Sequence, residues 1–130
     1  MSRVLIVDDN KDAADALSEL VELSGHETHA AYDPTSALEW ARESQFDVAL
    51  LDLDLPQMDG VALGRTLRRI RGGRNVRLIA ITGQGGLPYR FAALKAGFER
   101  YLLKPADPND IREAVDARPA LRAPSSGRAT

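Results

Sequence analysis

Five polar residues each follow a short apolar run. Asp8 and Asp9 follow Val4-Leu5-Ile6-Val7, Asp52 follows Val48-Ala49-Leu50-Leu51, Thr82 follows Leu78-Ile79-Ala80-Ile81, and Lys104 follows Tyr101-Leu102-Leu103. Brought together, the three carboxylates repel one another, which raises at least one pKa unless a cation compensates. Mg²⁺ suits such a set, because it prefers oxygen ligands and binds through one or two carboxylates, retained waters and a phosphate. Asp9 and Asp52 would hold it, with Asp8 behind them; Mn²⁺ is the substitute ion. Zinc fits less well, since no His or Cys falls in the cluster. A lysine ammonium and a threonine hydroxyl stabilise phosphoryl oxygens while a carboxylate attacks. The chemistry indicated is an aspartyl phosphate with Asp52, at the end of the most apolar run, as nucleophile.

These residues meet only if the runs are neighbouring strands. The runs read as strands buried on both faces, and stretches of helical period alternate with them. The first helix has Asn10 as N-cap, Ala13, Leu17, Leu20 and Val21 on its buried face, Asp12, Asp15 and Glu19 in solvent, and Gly25 at its end. A weaker strand over Glu27–Ala31 and a helix over Pro34–Glu43 come next. A third helix spans Val61–Arg71 and stops at Gly72-Gly73, and a fourth spans Pro88–Ala96 and stops at Gly97. The last, Asp107–Ala117, has Ile111, Ala114 and Val115 as core positions and ends before Pro119. Five βα units predict an α/β fold with a parallel sheet covered on both faces. Ligands of such sheets bind beyond the carboxyl ends of the strands, where all five polar residues fall.

With 130 residues the chain has the length of one domain. A hydrophobic fraction of 44% and a charged fraction of 28% are those of a soluble globular protein, and no apolar stretch is long enough to span a membrane. The absence of cysteine excludes disulfides, thiolate metal sites and a cysteine nucleophile. A net charge of -2 argues against nucleic acid or anionic lipid as electrostatic partners. Met1-Ser2-Arg3 leads straight into the first run without the features of a secretory signal, so the expected location is cytoplasmic. Residues 1–118 form the expected domain, and 119–130, rich in Pro, Ser, Ala, Gly and Arg, read as a disordered tail.

Asp8-Asp9, Asp52 with the following Leu53-Asp54-Leu55-Pro56-Gln57-Met58-Asp59-Gly60, Thr82 and Lys104-Pro105 resemble the residue set of receiver domains of two-component response regulators. The resemblance covers residue 3 to about residue 117. Each piece is common, but together, in the family's order and spacing, they are specific.

The resemblance implies a (βα)5 flavodoxin-like, doubly wound fold with strand order 2-1-3-4-5. It implies Asp52 as phosphoacceptor, Asp9 as a direct Mg²⁺ ligand, Asp8 as an acidic neighbour holding metal-bound water, and the Asp54 carbonyl as backbone ligand. Lys104 would pair with the phosphoryl group or with free Asp52, across a cis Lys104-Pro105 bond. Thr82 would be drawn to the phosphoryl oxygen and Tyr101 would turn inward behind it, so that the fourth helix and fifth strand are repositioned. Asp54 and Gln84, two residues beyond Asp52 and Thr82, would flank the path of attacking water and set the phosphoryl lifetime. The implied phosphodonor is a sensor histidine kinase or a histidine phosphotransfer protein, and the implied output is a change of protein-interaction surface.

Plainer roles compete at several positions. Asp8 could cap the first helix, Thr82 could serve a turn before Gly83, and Tyr101, like its neighbours Leu102 and Leu103, could be core. Asp59-Gly60 and Met58 read as turn and packing, and His26 and His29 as remote from the site. Arg65, Arg68, Arg69, Arg71, Arg74 and Arg77 read as a solvated basic face rather than a nucleic-acid surface. Gly83-Gln84-Gly85-Gly86 lacks the ending of a P-loop.

Two other functions compete as well. Asp52-Leu53-Asp54 resembles the nucleophile and acid of haloacid-dehalogenase phosphatases, but in that family the Asp pair follows the nucleophile, whereas here Asp8-Asp9 precede it. A phosphorylation-independent interaction module would not need the complete acidic, hydroxyl and lysine set. A stand-alone regulator and the receiver of a hybrid kinase both remain open, as does the oligomeric state.

Overall fold

The computed structural model describes residues 1–55, 59–70, 75–83 and 86–117. The elements in chain order are β1 (Arg3–Val7), α1 (Lys11–Leu23), β2 (Glu27–Ala31), α2 (Pro34–Glu43), β3 (Val48–Asp52), α3 (Gly60–Arg69), β4 (Arg77–Thr82), α4 (Leu87–Lys95), β5 (Phe98–Leu103) and α5 (Pro108–Asp116). All strand pairs are parallel and the sheet order is β2-β1-β3-β4-β5, the doubly wound arrangement expected from the sequence.

Because side chains alternate across a strand, each central strand feeds two cores. Val4, Ile6, Val48, Leu50, Ile79 and Ile81 pack against α1 and α5, through Ala14, Val21, Ile111, Ala114 and Val115. Leu5, Val7, Ala49, Leu51, Leu78 and Ala80 pack against α2, α3 and α4, through Ala37, Leu63, Leu67 and Ala93. This two-sided burial is why the runs are apolar without interruption. Each Leu, Ile or Val so buried contributes about 1.5–3 kcal/mol before chain entropy is set against it.

The helices begin where side chains can cap them. Asn10, Asp33, Asp59 and Asp107 each accept a hydrogen bond from a first-turn amide of α1, α2, α3 and α5. Gly25 and Gly97 take positive φ, 96° and 97°, after α1 and α4.

Several expectations need correcting. Strand β5 starts at Phe98 rather than Tyr101, with a register irregularity opposite Leu78 and Ile79. Ala14, not Ala13, is the deepest alanine of α1. Leu103, at the end of β5, is 51% exposed and is not core. The helix α3 ends at Arg69, with Ile70 as C-cap; its expected stop at Gly72-Gly73 lies outside the described residues, as do Arg71, Arg74, Gln84 and the segment 119–130.

The basic stretch is not a uniformly solvated face. Arg77 is 4% exposed; its guanidinium donates to Glu99 Oε2 at 2.6 and 2.9 Å and to the carbonyls of Ala114 and Val115 at the end of α5. Arg68 donates to the carbonyls of Val76 and Gly97. Both are internal fasteners at the edge of the sheet where the strands begin. At the same edge His26 accepts from the Ser2 amide through Nδ1, which leaves Nε2 to pair with Asp116 at 2.6 Å.

Candidate functional site

The alternation that builds the two cores also aims the polar residues. Asp8 continues Val4 and Ile6, Asp52 continues Val48 and Leu50, and Lys104 continues Leu102, so these three extend rows that face α1 and α5. Thr82 continues Leu78 and Ala80, on the side of Ala93 in α4 and of Tyr101. One strand edge therefore carries an acidic group with a lysine on one side and a hydroxyl with an aromatic on the other.

Carboxylate oxygens of Asp8, Asp9 and Asp52 lie within 4.8 Å of one another. Asp8 and Asp52 are buried, at 2% and 4% exposure, while Asp9 is exposed. Asp8 Oδ1 accepts from the Asn10 amide at 2.9 Å; it is Asn10, not Asp8, that caps α1. Asp52 Oδ1 accepts from the Asp54 amide at 2.9 Å. Lys104 Nζ donates to Asp52 Oδ2 at 3.2 Å and to Asp8 Oδ2 at 3.4 Å. The Lys104-Pro105 bond is cis, and the Lys104 amide donates to the Thr82 carbonyl at 2.8 Å.

Burial pushes the Asp52 carboxyl above its ordinary value and the charge of Asp8 adds to this; the Asp54 amide and Lys104 offset them only in part. Burial pulls the Lys104 ammonium down, but Asp52 and Asp8 together outweigh it and hold the group above the usual lysine range. Three carboxylates against one ammonium leave the crevice short of positive charge. Oxygen donors alone in a negative, partly open crevice fit a hard divalent cation and do not fit zinc.

On the other side, Thr82 is fully buried and its hydroxyl donates to Asp54 Oδ2 at 2.9 Å; the same oxygen accepts from the Gly83 amide at 3.1 Å. Tyr101 is half-buried, with the Arg90 guanidinium 5.6 Å from its ring centre. Burial, with the Asp54 charge adding to it, holds the Tyr101 phenol above its ordinary value. Gly60 opens α3 where a Cβ would lie 2.5 Å from Leu53 Cα and 2.7 Å from the Asp52 carbonyl, so only glycine lets α3 begin this close to the loop after Asp52.

Sequence reasoning found the cluster but not the Asp54–Thr82–Gly83 contact, the steric need for Gly60 or the Arg90–Tyr101 stack. None of these had a signal in the sequence alone: the Asp54 contacts depend on the register that sets Asp52 beside Ile81.

Fold and crevice together define a flavodoxin-like α/β domain with an acidic, lysine-bearing site at the carboxyl edge of its sheet. Residues 4–116 match the family model described as response regulator receiver domain, and the chain belongs to that family. It is 38% identical over 111 residues to the cyclic di-GMP phosphodiesterase response regulator RpfG of Xanthomonas campestris pv. campestris, which spans 84% of this chain and 29% of the relative. It is 34% identical over 116 residues to the DNA-binding response regulator MtrA of Mycobacterium bovis, which spans 89% of this chain and 50% of the relative. The chain thus spans half or less of the length of these two relatives.

Among solved structures, a CheY-like receiver domain protein from Methanospirillum hungatei superposes with a TM-score of 0.82 at 30% identity, covering 88% of this chain and 90% of that one. A Burkholderia pseudomallei response regulator, solved with a phosphorylated aspartic acid, calcium ion and citrate, does so with a TM-score of 0.82 at 27% identity, covering 90% of this chain and 68% of that one. The chain is a receiver of two-component signal transduction, homologous to phosphoacceptor domains; neither the family match nor these relatives favour a phosphatase of the haloacid dehalogenase type.

Proposed function

We propose that Asp52 is the phosphoacceptor and that the chain takes the group from a phosphohistidine, on a sensor histidine kinase or a histidine phosphotransfer protein. An Asp52 oxygen forms the new P–O bond as the P–N bond breaks, and the departing electron pair stays on the imidazole nitrogen, which takes a proton from solvent. The chain is not an enzyme on other substrates; it catalyses its own phosphorylation and dephosphorylation, in the cytoplasm where ATP feeds the donor. The observation that carries this reading is the pairing of buried Asp52 with Lys104 at 3.2 Å inside a cluster of three carboxylates.

Asp8, Asp9, Asp52 and the Asp54 carbonyl would hold Mg²⁺, or Mn²⁺ in its place. When bound, the ion supplies the charge that offsets carboxylate repulsion and phosphoryl oxygens. Lys104 neutralises a phosphoryl oxygen and orients it, and Thr82 donates to another as Tyr101 turns inward. Asp54 sets the phosphoryl lifetime; unchanged dephosphorylation in Asp54→Asn would remove that role. The readout is a protein-interaction surface, with no nucleic acid or membrane required.

The test is intact mass after incubation with acetyl phosphate and Mg²⁺, beside Asp52→Asn and a sample in EDTA. A single phosphoryl gain that needs both Asp52 and the metal is the expected result. A gain that persists in Asp52→Asn overturns the assignment, and rapid consumption of acetyl phosphate that depends on Asp52 revives the phosphatase reading.

A further inference from the structure

Asp54 does more than stand near the phosphoryl site. Its Oδ2 accepts from the Thr82 hydroxyl at 2.9 Å and from the Gly83 amide at 3.1 Å, while its own amide donates to Asp52 Oδ1 at 2.9 Å. Backbone and side chain of this one residue thus join the end of β3 to the end of β4 and the start of the connection to α4. Thr82 is fully buried, so its hydroxyl has no bulk water to turn to.

We infer that Asp54 is a positioning residue that latches Thr82 in the resting state, competing with the phosphoryl group for the single hydroxyl proton. The inference rests on Thr82 being the hydroxyl that moves. A threonine hydroxyl has one proton to donate. Held by an ionised carboxylate, that bond is charge-assisted and stronger than a bond to a neutral acceptor. Donation to a phosphoryl oxygen on Asp52 therefore requires the bond to Asp54 to break, and the Gly83 amide bond to the same oxygen holds the residue after Thr82 in place. The latch sets the resting population of the switched conformer, because that population depends only on the free-energy difference between the two states.

This differs from an effect on phosphoryl lifetime, which concerns attack by water after the switch has been made. It also differs from simple repulsion between Asp54 and an incoming anion, because the latch acts when no anion is present.

The experiment uses the full chain, ¹⁵N-labelled, in constant Mg²⁺, with beryllofluoride as phosphoryl mimic. Four proteins are compared: wild type, Asp54→Asn, Thr82→Ala and the double variant. Free and beryllofluoride-saturated wild type define a line for each amide resonance of Ala92, Ala93 and Leu94 in α4. In the absence of beryllofluoride, the α4 resonances of Asp54→Asn are expected to be displaced along that line, corresponding to about a fivefold rise in switched population. Beryllofluoride binding should tighten about fivefold on Asp54→Asn in the wild-type background and less than twofold in the Thr82→Ala background.

Unmoved α4 resonances in free Asp54→Asn overturn the latch. Equal tightening in both backgrounds does so as well, since it assigns the effect to charge alone. If beryllofluoride leaves wild-type α4 unmoved, it is the reading of Asp52 and Thr82 as acceptor and switch that fails, and the latch falls with it.

Discussion

Lys104 Nζ stands 3.2 Å from Asp52 Oδ2, joining residues 52 positions apart in sequence, and reaches Asp8 Oδ2 at 3.4 Å from the same place. The ammonium is thus the resident cation of a crevice built for more positive charge than the chain supplies. Replacing it should separate two of its effects. Lys104→Met is expected to lower the rate of phosphorylation by acetyl phosphate about a hundredfold, the usual loss when one oxyanion donor is removed. Mg²⁺ affinity should rise, because a competing cation has gone. Rates from intact mass and a Mg²⁺ titration measure both, and a rate within threefold of wild type would remove Lys104 from the chemistry.

The raised pKa of Asp52 fixes a sign for stability against pH. The folded chain binds this proton more tightly than the unfolded chain, whose carboxyl keeps its ordinary value near 3.8. Stability from this site is therefore fully present below that value and is lost as pH rises through the folded-state pKa. Without divalent ions, Asp52→Asn should melt a few degrees above wild type at pH 7, and the gap should close as pH falls toward 4. Thermal melts in EDTA at both pH values decide it; a gap of constant size contradicts the assignment of burial as the dominant cause.

Divalent binding should appear as stabilisation by mass action. Added Mg²⁺ is expected to raise the Tm of wild type in a concentration-dependent way and EDTA to reverse it. Asp9 is exposed, so Asp9→Asn should alter metal-free stability by no more than about 0.5 kcal/mol. It should nonetheless abolish most of the Mg²⁺-dependent rise. A full response to Mg²⁺ in Asp9→Asn would place the ion elsewhere.

At the opposite edge of the sheet, Arg77 holds Glu99 and the last carbonyls of α5. Arg77→Met leaves those acceptors without their donor and should cost about 3 kcal/mol, the low end for breaking a buried pair because Glu99 is partly exposed. Glu99→Gln keeps an acceptor for the guanidinium and should cost about 1 kcal/mol. Urea denaturation of the two variants gives the comparison, and equal costs would argue that the α5 carbonyls contribute nothing.

The parts of this molecule legible in the sequence are those written in strong local patterns. Runs such as Val48–Leu51 announce buried parallel strands, and Asn10, Gly25, Pro34 and Gly97 punctuate the helices. The polar residues that end the strands then fall at one edge by topology alone, which is why the carboxylate and lysine cluster could be read from the chain. Phe98-Glu99-Arg100 carries no such pattern. Its strand conformation comes from pairing with β4 across an irregular register, a partner no local window contains.

The same limit explains the arginines. Arg77 sits in a basic run and reads as surface, but its guanidinium is needed by Glu99 and by carbonyls 37 and 38 residues away. Leu103 errs in the opposite sense: an aliphatic at the end of an apolar run, it makes the last pairing of β5, with Thr82, and its side chain emerges into solvent. The charge of Asp54 is legible in the sequence, whereas its hydrogen bonds depend on β3 and β4 lying side by side.

The helix α4 is moored to the sheet by little. Ala93 is its buried residue, whereas Leu87, Phe91 and Leu94 stand exposed; by contrast α3 buries Val61, Leu63 and Leu67. Displacing α4 uncovers little apolar surface, so moving it costs less in lost burial than moving α3. Substitutions at Leu87, Phe91 or Leu94 should therefore leave the apolar contacts that hold α3 intact.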